Sequence, residues 1–273
     1  MQRDMKKNKH LVAVYIIVFI IACTTIINFA FGQGAEKPSV ENIQNNLCAE
    51  VPRNVLIELF VNEDCTVCPK AAFCLEDLAW SYEPGTVILV EAHIWGDGHD
   101  IPQANTRYDW YTGSGIKGTP DAFFNGLAER VHGLHSDCAD IDENIAAYRS
   151  IIEKQLAEST PVEIKVMMEI CGGKIIIRGS VLNRSHSQLQ NLMLGGMVYY
   201  EGDESEFFYL VKDIFGEQDI CQLAPLEEKK FDFVSHLDLA EIEDEDAELD
   251  RYYGVVFVQD KITKEVLQAF LVY

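Results

Sequence analysis

Cys65 and Cys68, with two residues between them and followed by Pro69, are the residues of this 273-residue chain best suited to chemistry. A thiolate is a nucleophile, and a second thiol within reach can close a disulfide with it. A Cys-x-x-Cys pair therefore predicts thiol–disulfide exchange. In that chemistry Cys65 attacks and Cys68 resolves the mixed disulfide. The competing readings of the pair are a structural disulfide and a metal clip.

The flanking sequence predicts how the sulfurs are held. Residues 54–61, Asn-Val-Leu-Ile-Glu-Leu-Phe-Val, are almost continuously apolar and predict a buried strand. Residues 70–80 predict an amphipathic helix, with Ala72, Leu75, Leu78 and Ala79 at spacings of three and four. Pro69 fits the first helical turn, where backbone donors lack helical partners. The cysteines thus fall on a strand-to-helix turn. A helix N-terminus favours a thiolate, whereas Glu63 and Asp64 beside Cys65 oppose one.

Residues 86–93 predict a second buried strand. Residues 94–116 form a loop-rich insertion, in which residues 106–111 predict one or two helical turns. Then come Gly118-Thr119-Pro120 and a third strand leading into Asn125-Gly126, the dipeptide of a tight hairpin, with a fourth strand over 127–131. Residues 139–158 predict a closing helix, ended by Thr160-Pro161.

Cys-x-x-Cys-Pro after a first strand, followed by Gly-Thr-Pro before a ββα ending, resembles the thioredoxin superfamily. It is most similar to secreted members, such as those related to the 28-kDa outer-membrane protein, which add a β-rich C-terminal domain. The resemblance covers about residues 50–158. It implies a cis Pro120 facing the cysteines, with Thr119 offering its backbone to an extended substrate. It also implies a buried carboxylate near the resolving cysteine. Glu58 is the residue for that role, passing protons during exchange. It lies seven residues before Cys65, one more than the family spacing. The Thr66-Val67 dipeptide and Asp64 also depart from the thioredoxin pattern.

From Val162 the period changes to alternation. Residues 162–170, 174–182, 192–200, 207–211, 229–234, 252–259 and 265–272 predict strands of an antiparallel, Ig-like β-sandwich. The expected architecture is an α/β thioredoxin-like domain over 35–160, then an all-β domain over 161–273. Residues 1–34 form a signal peptide or membrane anchor.

That leader carries Arg3, Lys6, Lys7 and Lys9 before the uncharged, apolar residues 11–31. Cleavage after Gly32, an uncleaved anchor through 11–31, and lipidation at Cys23 are three competing expectations. All send the rest of the chain out of the cytoplasm, to a bacterial periplasm or cell envelope. Eight cysteines suit such an oxidising compartment. Cys171 with Cys221, and Cys48 with Cys138, are candidate bridges.

Net charge is −22, which excludes nucleic acid as a partner, since phosphates need clustered Lys and Arg. Protein thiols and disulfides are the expected partners, and no organic cofactor is implied. The alternative is a non-enzymatic surface-binding or Cu/Zn-handling module. Its candidate ligands are His93, Asp97 and His99, or His132, His135 and Cys138, with or without Cys65 and Cys68. The competing reading of these histidines is ordinary solvated loop residues.

Overall fold

The apolar run after Asn54 forms strand β2 (Val55–Val61), and all seven residues are buried. A strand covered on both faces has no polar side to present, which explains its continuous hydrophobicity. This computed structural model describes residues 48–134, 141–202, 207–239 and 251–273. The leader expected over 1–34, with Cys23, lies outside the described residues, as do His135 and Cys138. No described helix is long and apolar enough to cross a membrane.

Helix α1 (Cys68–Trp80) follows β2 and returns the chain to β3 (Val87–His93). β3 runs parallel to β2, from Val55 opposite Val87 to Val61 opposite His93. The insertion folds as a longer helix than expected, α2 (Pro102–Thr112), with proline in its first turn and Gly113 at its end. β4 (Asp121–Phe124) pairs antiparallel with β2, and β5 (Glu129–His132) with β4. α3 (Ile141–Leu156) closes this half. α1 and α3 cover one face of the β3-β2-β4-β5 sheet, burying Val55, Ile57, Leu59 and Val61. α2 covers the other, against Leu56 and Phe60.

The β4–β5 turn shows why Asn125-Gly126 is needed. Both residues have positive φ, 48° and 64°, the conformation of a tight hairpin turn. A Cβ on Gly126 would stand 2.1 Å from the Lys264 carbonyl oxygen. The Asn125 side chain accepts the Leu56 N–H at 2.9 Å, fastening the turn to β2.

The sheet does not end at Pro161. After the short pair β1 (Val51–Pro52) and β6 (Ser159–Thr160), a hairpin forms from β7 (Val162–Cys171) and β8 (Lys174–Asn183). β9 (Leu189–Glu201) pairs with β10 (Tyr209–Ile214), β11 (Gln218–Leu223) and β13 (Tyr252–Asp260). β14 (Val266–Val272) lies outside β13. β10 also sits parallel to β3, with Leu210 opposite Glu91. One nine-stranded mixed sheet results, in the order β14-β13-β9-β10-β3-β2-β4-β5 with β11 alongside β9. The change of period at Pro161 therefore divides sequence styles but not the sheet, and the described residues on its two sides make one compact unit.

A second sheet, β12-β8-β7, includes β12 (Glu228–Val234). It stacks on the far end of the first. Ile164, Ile177, Val181 and Phe233 pack against Leu194, Val198, Val256 and Val258. The alternation read from Val162 onward is this two-layer arrangement, apolar inward and polar outward. The protein is thus mostly β, with mixed sheets and three helices among the described residues.

Candidate functional site

Cys68 is the first residue of α1 and is fully buried, whereas Cys65 is half-buried. Their sulfurs form a disulfide, with Cα atoms 5.4 Å apart. The Cys68 N–H donates to Cys65 Sγ at 3.1 Å. Val67 caps α1 without a side-chain hydrogen bond, and no acid occupies the first turn. Pro69 has no N–H and the Lys70 N–H is taken by the Val67 carbonyl at 3.2 Å, so the Cys68 N–H is the first-turn donor that reaches the sulfur, backed by the partial positive charge of the helix N-terminus. This is the environment that stabilises a thiolate on Cys65.

Asn62 braces the turn. Its Nδ2 donates to the Ile94 carbonyl at 2.6 Å and its Oδ1 accepts the Asp64 N–H at 3.0 Å. Glu63 and Asp64 are exposed, so solvent screens their charge. Glu63 also pairs with His99 at 3.0 Å.

The Thr119–Pro120 peptide is cis. Phe60 is opposite Asp121 in the β2–β4 register. One step further places Pro120 beside Val61, at the end of β2 from which the cysteine turn leaves. Asp121 is wholly buried and held by Arg130 at 2.6 Å and the Tyr108 hydroxyl at 2.8 Å.

Glu58 does not take the expected position. Strand side chains alternate, so Val55, Ile57, Leu59 and Val61 face the cysteine helix while Leu56, Glu58 and Phe60 face α2. Glu58 is paired with Arg107 and accepts the Tyr111 hydroxyl at 2.6 Å. Gln259 of β13 completes the network. Burial alone would lower the Arg107 pKa, but the Glu58 carboxylate raises it above the ordinary value. Glu58 is one step along β2 from Ile57 and Leu59, which face α1, and a one-residue step moves a strand side chain to the other face.

Two polar residues that sequence reasoning did not assign to exchange do face the cysteine helix. In β3, Val87 and Leu89 point to α1 and Ile88, Val90 and Ala92 away from it. Glu91 and His93 continue the first series. Glu91 is fully buried, accepts the Tyr209 N–H at 2.8 Å and lies beside Glu76 of α1. Burial, and then the Glu76 carboxylate, hold its pKa well above the usual carboxylate range. Glu76 is likewise raised, chiefly by burial.

His93 is 1% exposed and its Nδ1 meets Asp97 Oδ2 at 2.6 Å. Its Nε2 is buried with no hydrogen-bond partner. Burial lowers the His93 pKa, against an upward pull from Asp97. For Asp97, burial works upward, but hydrogen bonds from His93 and the His99 and Glu63 N–H groups hold the carboxyl below its ordinary value. The signal was present in sequence: two ionisable residues of matching parity in an otherwise apolar strand.

Of the metal candidates, His93, Asp97, His99 and His132 are described, whereas His135 and Cys138 are not. Among the described residues, no group of three or more His, Cys, Asp or Glu is arranged to hold an ion. His93 is engaged with Asp97, His99 with Glu63, and His132 lies 3.3 Å from Asp121. The bridge expected between Cys171 and Cys221 is also absent, since both are free and exposed. They belong to different sheets: Cys171 ends β7 at a hairpin, and Cys221 lies in β11 beside β9. Cys48 and Cys74 are free as well. Burial pushes the Cys74 thiol up to about 11.

No family model matches the chain. No curated protein matches it either. Solved structures do. HBP35 of Porphyromonas gingivalis superposes with a TM-score of 0.60 and 16% identity, over 82% of this chain and 76% of that one. A protein of Agrobacterium tumefaciens gives 0.50 and 15%, over 82% and 95%. At these identities the likeness shows a shared fold and nothing of activity. A domain of the outer membrane lipoprotein Omp28 from P. gingivalis aligns at 15% identity over 41% of this chain and 87% of that one, and its TM-score of 0.31 is too slight to carry an argument.

Proposed function

We propose that this protein is a thioredoxin-like thiol–disulfide oxidoreductase acting on protein thiols and disulfides outside the cytoplasm. The observation that carries the reading is the asymmetric Cys65–Cys68 disulfide at the N-terminus of α1. One sulfur is reachable, the other is buried, and a backbone N–H is aimed at the reachable one.

In the dithiol form, Cys65 thiolate attacks a substrate disulfide and displaces one substrate sulfur as thiolate. Cys68 then attacks Cys65 Sγ, closing the observed bond and releasing the second substrate sulfur. The substrate gains two electrons and two protons, and the protein loses them. The reverse sequence oxidises a substrate dithiol. The Thr119–Pro120 segment is the strip along which an extended substrate lies. The stacked β-sheets present or bind the partner. Export rests on the leader, with its basic start and apolar 11–31.

Turnover of insulin disulfides by the full chain, driven by dithiothreitol, tests this reading. Wild type is expected to accelerate insulin precipitation. Cys65→Ser abolishes the acceleration, and Cys68→Ser accumulates a mixed disulfide through Cys65. Equal rates for wild type and Cys65→Ser would overturn it.

A further inference from the structure

The resolving sulfur, Cys68, is wholly buried. A buried thiol is reluctant to ionise, because burial disfavours the charged form. Exchange therefore needs a nearby group to take its proton. Glu58 is on the wrong face and is committed to Arg107. Glu91 is on the right face, but its carboxylate accepts the Tyr209 N–H and lies beside Glu76, and it sits two residues further than His93 from the end of β3 that is level with the cysteine turn.

His93 remains. It lies directly opposite Val61, the last residue of β2, and Val61 shares the apolar cluster under α1 with Cys68. Paired residues on adjacent strands point to the same face, with Cβ atoms about 5 Å apart. The imidazole is thus on the Cys68 side at the cysteine end of the sheet. Asp97 connects it to the cysteine turn. One carboxylate oxygen meets His93 Nδ1 at 2.6 Å and also accepts the Glu63 N–H at 3.0 Å, two residues before Cys65. With Nδ1–H held by Asp97, the neutral ring has its lone pair on Nε2, the buried atom with no protein partner. Phe207 packs on the ring, with centroids 4.6 Å apart, and helps exclude water.

We propose that His93, oriented by Asp97, is the general base and acid for Cys68 in thiol–disulfide exchange. This rests on the oxidoreductase reading above. In the mixed disulfide, the Cys68 S–H proton passes to His93 Nε2. The Cys68 sulfur attacks Cys65 Sγ, the bond between Cys65 and substrate breaks, and its electron pair leaves on the substrate sulfur. That thiolate takes up a proton, and the imidazolium returns its own to solvent. The ionisable groups around His93 are Asp97 and His99 from the loop before α2 and Glu63 from the cysteine turn, with Glu91 two residues back on the same face of β3.

The test is stopped-flow reaction of the reduced full chain with 5,5′-dithiobis(2-nitrobenzoate). Signal from the other cysteines is removed by subtracting the trace of the Cys65→Ser/Cys68→Ser protein. Attack by Cys65 releases one thionitrobenzoate, and resolution by Cys68 releases a second. His93→Gln is expected to leave the first phase unchanged and slow the second by about 10²-fold at pH 7. The second phase should also lose its fall on acidification through the imidazole range. Asp97→Asn, which keeps the ring, slows the second phase less and serves where His93→Gln fails to fold. A second phase equal to wild type in the folded variants, across pH 5 to 9, overturns the role of His93. Absence of any second phase in wild type instead defeats the oxidoreductase reading itself.

Discussion

Glu58 and Arg107 form a buried ion pair on the sheet face opposite Cys68, with Arg107 Nη2 donating to Glu58 Oε2 at 2.9 Å. The guanidinium also lies 4.5 Å from the Phe257 ring centroid, so the pair joins β2, α2 and β13. Its role is structural. Glu58→Gln strands a buried guanidinium and should destabilise the protein by about 3–5 kcal/mol. Equilibrium urea unfolding measures this. The rate of exchange per folded molecule should not change.

Glu91 contributes in the opposite sense. Its folded pKa lies above its unfolded one, so the folded state holds the extra proton between the two values. That contribution is complete below the unfolded pKa and is lost as pH rises through the folded pKa. Glu91→Gln keeps an acceptor for the Tyr209 N–H and removes the titration. It should raise stability at pH 8 by on the order of 1 kcal/mol, and by less at pH 5. Paired urea melts at the two pH values check this. A larger gain at pH 5 would contradict it.

The thiols should differ in reactivity. Cys65 has a helix N-terminus and a backbone donor, Cys221 is disfavoured by Asp219, and burial pushes Cys74 up to about 11. Brief iodoacetamide treatment of the reduced protein at pH 7 should label Cys65 ahead of the exposed Cys171 and Cys221, with Cys74 and Cys68 protected. Peptide mass mapping reads the order.

Local signals in the sequence located the elements that hold the cysteines. The unbroken run into Val61, Pro69 in a first turn and the Asn125-Gly126 dipeptide each act through near neighbours, and each appears where expected. What was not legible depends on distant partners. The parallel contact of Leu210 with Glu91 joins strands 119 positions apart, and nothing local to residue 210 encodes it. β11 was missed because Gln218–Leu223 has no clean alternation and its register shifts twice against β9. Glu58 was misassigned through parity. Parity counted from Val61 and its partner His93 gives the cysteine face to Glu91 and His93 and the opposite face to Glu58.

The most direct test of the central claim is the reduction potential of the Cys65–Cys68 couple in the full chain. It is equilibrated against glutathione or dithiothreitol buffers and read by mass after alkylation. The account predicts a reversible couple between about −120 and −270 mV, the span of exchange catalysts. A disulfide that stays closed below about −300 mV, or cysteines that never pair, would identify a structural or inert site and contradict it.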